Sequence, residues 1–267
     1  MGGAERTARK RRQQQAAGGQ AVAKARGGTD VKKTAAIIGA VVLAAAVVIG
    51  GVLWTDASKN ATEGETIPTA QPASTDFPER RDGVVVVSGS PEAPVTIDVY
   101  ADFLCPVCAQ FEESYGDRLQ REMAQGNLRV RTHMVPMLVE RSDPPGYSLD
   151  AANAALLAAD EGRFTAYHDS LFAAQPEEGK RGYDDGQLIQ LGHDLGITGQ
   201  AFAEGVREGK YERQLTAEME RIAQDPELQQ DFDGNRGFGT PTVVADGRIV
   251  DFSEGQWLDK LLAGTAS

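Results

Sequence analysis

Apolar residues along this chain change period several times between residues 84 and 262, and each change marks an element. A β-branched run, VVVV at 84–87, leads through Ser88-Gly89-Ser90-Pro91 to VTIDVY at 95–100, which reads as a second strand. Residues 105–124 then switch to helical spacing, with Cys108, Phe111, Tyr115, Leu119 and Met123 on one face. Pro106 suits the first turn of that helix, where a missing N–H costs nothing. After Gly126-Asn127 the chain returns to strand at 128–135, so a β–α–β order with a short connection predicts that 95–100 and 128–135 are parallel neighbours.

A helical stretch follows. Leu149, Ala152 and Leu156, then Phe164, Tyr167 and Leu171, keep i, i+3, i+7 spacing, and further helices are expected over 184–194 and 198–224. Strands at 242–245 and 248–251 flank Asp246-Gly247, a strong two-residue hairpin signal. A final helix is expected from Ser253, with Gln256 completing a capping box and Trp257, Leu258, Leu261 and Leu262 on its buried side. The pattern is a mixed sheet covered by helices and interrupted by a mostly helical insertion at about 145–225, an α/β class.

The N-terminal third follows a different rule. Residues 35–54 (AAIIGAVVLAAAVVIGGVLW) hold no charge and no proline, and at about 1.5 Å per residue they span roughly 30 Å, the thickness of a bilayer's hydrocarbon core. Lys32 and Lys33 precede this run and Asp56 follows, which puts the N-terminus in the cytoplasm and the rest outside. A cleaved signal peptide would have a shorter apolar region and a small-residue cleavage site close behind, and TDASKNATEG offers none. The expectation is a single-pass membrane anchor. Residues 1–34, basic and without apolar periodicity, read as a disordered cytoplasmic tail, and 55–82, polar and proline-containing, as an extracytoplasmic linker.

Composition adds one constraint. The 267 residues are 41% hydrophobic and 25% charged, ordinary for a folded protein, with a net charge of −12. Nine of the 27 basic residues, but only Glu5 and Asp30 of the 39 acidic ones, precede the apolar run, so 18 basic and 37 acidic residues lie beyond it. So acidic a domain repels a phosphate backbone, and nucleic acid is excluded as its partner.

Cys105 and Cys108, in the order Cys-Pro-Val-Cys, are the only cysteines. At a helix start the first thiol meets free N–H groups and the positive end of the helix dipole, which favour the thiolate. The second, one turn deeper on the face of Phe111 and Tyr115, is expected to be buried. An exposed attacking sulfur beside a protected resolving one is the division that thiol–disulfide exchange needs.

Three other readings compete with a redox pair. A structural disulfide over so short a loop constrains little of the unfolded chain. Zinc needs two more ligands, and His133, His168 and His193 are not paired at ligand spacing. Two incidental thiols outside the cytoplasm would tend to oxidise.

A second segment, Gly237-Phe238-Gly239-Thr240-Pro241-Thr242, sets a proline at the very start of a strand. From this segment alone an ordinary trans peptide is the simpler expectation.

Together the two segments resemble the DsbA-type branch of the thioredoxin superfamily, through VTIDVYADFLCPVCAQFEE and GFGTPTVVADGRIVDFSE. The resemblance covers most of 83–265. It implies a thioredoxin-like mixed sheet with a helical insertion, Cys105 as nucleophile, Cys108 as resolving cysteine, and Pro106 and Val107 lining the motif. It further implies that Pro241 is a cis proline packed against the sulfurs and that the Thr240 backbone pairs with an extended substrate. On this likeness the chain is an extracytoplasmic thiol–disulfide oxidoreductase forming disulfides in cysteine-containing exported proteins. The cysteines themselves would carry the electrons, with no other cofactor, and a quinone-linked membrane protein would reset them.

The opposite direction, a reductase or isomerase kept reduced by a membrane donor, stays open, as does a membrane-tethered peptide-binding or assembly module. Two departures from the family matter. Val107 stands where the best-known oxidant has histidine, and Val99 where an acidic residue often serves the buried thiol, with Asp98 one step away and facing the other side of its strand. Asp102 is assigned no role beyond capping a turn.

Asp231-Phe232-Asp233-Gly234-Asn235 opens like a calcium loop, but Arg236 and Thr242 stand where glycine and glutamate are required, and no metal site is expected. Asp184, Asp185, Glu218 and Glu220 are expected on a solvated face, and His133 as a satisfied core or strand-face histidine.

Overall fold

The computed structural model describes residues 59–232 and 234–264. The chain divides into two units, Met1–Asp56 and Ala57–Ser267. The first lies outside the described residues, and with it the expected tail at 1–34 and anchor at 35–54. Among the described residues, no helix is long and apolar enough to cross a membrane.

Six strands make the main sheet: β1 (Glu79–Asp82), β2 (Val85–Gly89), β3 (Val95–Ala101), β4 (Leu128–Met134), β7 (Thr242–Ala245) and β8 (Arg248–Ile249). Their order is β1-β2-β4-β3-β7-β8, with β3 and β4 parallel and every other pair antiparallel. The parallel pair is the one predicted from the β–α–β order. Asp246 and Gly247 both take positive φ, 49° and 72°, as the tight hairpin between β7 and β8 requires.

The crossover from β3 to β4 runs through α1 (Pro106–Phe111), a π-helical turn (Glu112–Gly116) and α2 (Asp117–Ala124), rather than one uniform helix. The apolar positions 111, 115, 119 and 123 step by four, more than the 3.6-residue α period, and the wide turn absorbs the surplus so that one stripe keeps facing the sheet. That stripe packs with Ile97, Val99, Val130 and Val243 from the strands and with Trp257, Leu258 and Leu261 from α8 (Trp257–Leu262). The expected capping box of this last helix is absent. Gln256 is itself the N-cap, without a side-chain cap bond, and Ser253 bonds Asp251 instead.

The helical block comprises α3 (Tyr147–Asp160), α4 (Phe164–Ala173), α5 (Asp185–Asp194), α6 (Gln200–Arg207) and α7 (Glu212–Gln224). Its centre is α3, whose alanines 151, 152, 154, 155, 158 and 159 are all buried; a helix apolar all round belongs inside. The expected helical stretch 198–224 is divided at Gly209, whose φ of +60° ends α6. Asp184 is exposed, as expected, and also caps α5 in a reciprocal box with Gln187. On the sheet's second face Ile222 of α7 packs with Tyr100, Val135 and Leu228.

The linker expected at 55–82 needs correction over its described part. Thr62 donates to the carbonyls of Arg181 and Gly182, the Ala70 N–H donates to Ser170, and the Ile67 side chain is buried in the helical block's core. Residues 79–82 join the sheet as β1. The sequence ERRD shows no apolar alternation because this strand is docked by polar bonds: Glu79 accepts from Thr165, and Arg81 pairs with Asp160 and donates to Tyr211. A separate two-stranded ribbon, β5 (Gln230–Phe232) with β6 (Asn235–Gly237), was likewise not foreseen.

Candidate active site

β3 ends at Ala101, and the four residues after it turn the chain into α1. Cys105 is the N-cap of that helix, with extended backbone (φ −77°, ψ 116°), and Pro106 occupies the first turn as its sequence position predicted. The Cys105 N–H donates to the Asp102 carbonyl at 3.1 Å, and the Cys105 carbonyl accepts from the N–H groups of Cys108 (3.0 Å) and Ala109 (3.2 Å). These bonds place one sulfur at the helix mouth and the other one turn inside.

The two sulfurs differ in what they face. Cys105, expected to be exposed, is in fact buried at 5% exposure, with its Sγ 3.3 Å from the carbonyl oxygen of Thr240. Its thiol is lowered to about 6, chiefly by the hydrogen bond with the Cys108 thiol, against the opposing effect of burial, with lesser help from Thr240 and the backbone N–H groups of Cys108 and Val107. Cys108 is fully buried; burial first, and then its neighbour Cys105, push its thiol well above the usual range. The Asp102 N–H points at its sulfur from 3.5 Å. Both thiols are free, the dithiol form of the pair.

Opposite the motif, β7 is entered through Thr240–Pro241, a cis peptide, as the resemblance implied and the segment alone did not. Thr242 Oγ1 donates to the Gly239 carbonyl at 2.6 Å and accepts from Gln230 Nε2 at 2.7 Å, so the loop before the proline is fastened to the β5–β6 ribbon. Pro106 is exposed and Val107 is 49% exposed, so they form the rim of the motif and leave the sulfurs beneath it.

Three side chains hold the motif loop: Asp102, which caps the turn as expected and does more, and Ser148 and Gln175, to which the sequence assigned no role. Asp102 is 1% exposed, and its carboxylate accepts from the N–H of Leu104 (2.8 Å), the N–H of Leu138 (2.8 Å) and the hydroxyl of Ser148 (2.6 Å). Burial pushes its carboxyl upward despite those bonds. Gln175, just beyond α4, donates from Nε2 to the carbonyls of Phe103 and Cys105, each at 3.0 Å. Ser148 and Gln175 reach the motif from the helical block, and only tertiary contact reveals them. The one available signal was Asp102, an acid in an otherwise apolar approach to the first cysteine.

Asp98 is not part of this group. Its carboxylate lies 2.7 Å from His133 Nε2 and 3.3 Å from Arg131, on the sheet face opposite Val99. His133 also stacks on Tyr100. His168 lies between Glu112 and Asp169, and His193 is exposed. Among the described residues no cluster of His, Cys, Asp and Glu could hold a metal ion. Asp231 accepts from the Gly234 N–H across the ribbon turn.

A family model described as "Thioredoxin" matches residues 82–262. Among curated proteins, the serine/threonine-protein kinase PknE of Mycobacterium tuberculosis is 28% identical over 190 residues, 68% of this chain and 31% of that protein. The chain therefore spans about a third of the length of that relative. Among solved structures, oxidised DsbA of Mycobacterium tuberculosis is 25% identical with a TM-score of 0.55, over 72% of this chain and 93% of that one. MdbA, a thiol-disulfide oxidoreductase of Corynebacterium diphtheriae, shares the fold at 21% identity and a TM-score of 0.57, over 72% and 95% of the two chains.

Proposed function

The chain belongs to the thioredoxin family, and from that premise we propose that it is a thiol–disulfide oxidoreductase that forms disulfides in exported proteins through Cys105 and Cys108. The observation that carries this reading is the unlike condition of the two sulfurs. One is at a helix mouth with its thiol lowered to about 6, and the other is buried beneath it and raised. Oxidised, the pair is attacked at Cys105 by a client thiolate; the Cys105–Cys108 bond breaks, a client–Cys105 disulfide forms, and Cys108 leaves with the electron pair. The client's second thiolate then attacks its own sulfur in that mixed disulfide. Cys105 leaves as the thiolate its surroundings favour, so two electrons pass to the protein and the client keeps the new bond. Stabilising the reduced form in this way makes a centre oxidising.

The apolar run at 35–54 supplies the anchor in this reading and sets the domain on the outer side of the membrane, close to a quinone-linked membrane protein that accepts the two electrons. The opposite direction, as reductase or isomerase, is favoured by one observation: Val107 gives the Cys105 thiolate no charge and no side-chain hydrogen bond. Alkylation trapping in cells separates the two, since an oxidase is expected mostly disulfide-bonded at steady state and a reductase mostly as the dithiol. Cys108→Ser is expected to accumulate clients as mixed disulfides on Cys105. If it captured none, and Cys105→Ser, Cys108→Ser kept full biological activity, the site would be a tethered peptide-binding module instead.

A further inference from the structure

We propose that Phe232, on the β5–β6 ribbon, is a specificity-determining residue that receives an apolar side chain next to the reactive cysteine of an unfolded client. Among the described residues two large hydrophobic side chains stand exposed, Val107 and Phe232, each at 49%. Exposed hydrophobics scattered singly need no explanation. These two are not scattered. Val107 lies inside the motif, two positions from Cys105, and Phe232 packs against Gly239, the residue before Thr240, whose carbonyl meets the Cys105 sulfur.

The contact with Gly239 is close: a Cβ at that position would lie 2.7 Å from Phe232 Cζ, so the ring's edge fills the space a side chain would take. Along β5, residues 230 and 232 point to the same side. Gln230 on that side is bonded to Thr242, which in turn bonds the Gly239 carbonyl. The ribbon is therefore fastened to the loop before Pro241 at two points, and Phe232 is held against the residue that precedes Thr240 with half its surface left to water.

The occupant follows from the chemistry of that position. A chain extended along the Thr240 backbone with its cysteine at Cys105 sets neighbouring side chains on alternate sides. One of these falls on the Phe232 edge, and an aromatic or branched aliphatic group there removes both apolar surfaces from water. An unfolded segment exposing such residues beside a cysteine is the client that fits. The inference rests on the exchange activity proposed above.

The test uses the oxidised full chain and three reductants: dithiothreitol and two synthetic peptides of equal length whose single cysteine is flanked by Phe or by Ser. The wild type is expected to react about tenfold faster with the Phe peptide, and Phe232→Ala to bring the two peptides within about twofold while leaving dithiothreitol and Ser-peptide rates unchanged. Phe232→Leu, which keeps an apolar group, is expected to keep most of the preference. No preference in the wild type, an undiminished preference in Phe232→Ala, or an equal fall with all three reductants would overturn the assignment. Failure of every variant to react even with dithiothreitol would overturn the exchange activity beneath it, and is distinguishable by that reagent.

Discussion

The sulfur of Cys105 stands 3.3 Å from the carbonyl oxygen of Thr240, 135 positions later in the chain. The contact joins the two segments that carry the family likeness: the start of the crossover helix and the entry to β7. In the proposed reaction this contact marks the place of exchange, where a client strand along Thr240 would bring its own sulfur onto Cys105.

The ionisation of that sulfur is directly measurable. Alkylation of the reduced protein at Cys105 is expected to follow a single titration with a midpoint of about 6, while Cys108 stays unreactive until the protein unfolds. The folded value lies below the unfolded one, so the stabilisation is complete above the unfolded pKa and is lost as pH falls through 6. At pH 7, between the folded and unfolded values, part of it remains in favour of the reduced form, which makes the pair more oxidising. A midpoint in the ordinary thiol range, near 8.5, would remove the basis for an attacking thiolate.

Asp102→Ala tests what holds the motif loop. The substitution strips the partner from two N–H groups, those of Leu104 and Leu138, and from the Ser148 hydroxyl, all in a site with little access to water. The expected loss, read by urea unfolding, is about 2–4 kcal/mol, the cost of leaving buried donors unmade. A loss under about 0.5 kcal/mol, typical of a surface substitution, would show that the carboxylate is dispensable.

Much of this arrangement was legible in the sequence, and the rest was hidden for identifiable reasons. The alternation in VTIDVY put Asp98 and Val99 on opposite faces of β3, and Asp98 indeed meets Arg131 and His133 away from the helix. Asp246-Gly247 announced its hairpin because both residues tolerate positive φ. β1 escaped notice because Glu79 and Arg81 dock through an acceptor and a cation, which give no hydrophobic period. The β5–β6 ribbon carries one large apolar side chain, too few for any periodicity. Gln175 sits just past the end of α4, and only the approach of the motif gives its amide a purpose.

Asp98→Asn separates fold from chemistry on β3. The carboxylate is bonded to His133 and Arg131 on the far face, with no hydrogen bond to either sulfur, so the Cys105 alkylation midpoint is expected to stay where it is in the wild type. Stability is expected to fall by about 1–2 kcal/mol through the weakened bond to a buried histidine. A shift of the midpoint by a full unit would show that Asp98 communicates with the thiols after all.

The helical block contributes to the site through a small number of contacts, and two substitutions distinguish its supporting role from its packing role. Gly192→Ala places a Cβ 2.3 Å from Phe202 Cε1, where α5 meets α6, and the overpacking is expected to cost about 1–3 kcal/mol. Nothing in that joint bonds the motif, so exchange with dithiothreitol at a temperature where the variant stays folded should be unchanged. Gln175→Ala removes the amide that ties the carbonyls of Phe103 and Cys105 to the block. Its cost in stability is of similar size, about 1–2 kcal/mol for two hydrogen bonds to partly buried carbonyls. Its effect on chemistry is expected to differ, because the freed loop carries the N-cap residue and a sulfur displaced from the helix mouth loses its N–H donors. The alkylation midpoint of Cys105 should rise and exchange at pH 6 should slow, with less slowing at pH 9, where the thiolate forms without help. Equal behaviour of the two variants at both pH values would mean that the block stabilises the fold without positioning the nucleophile.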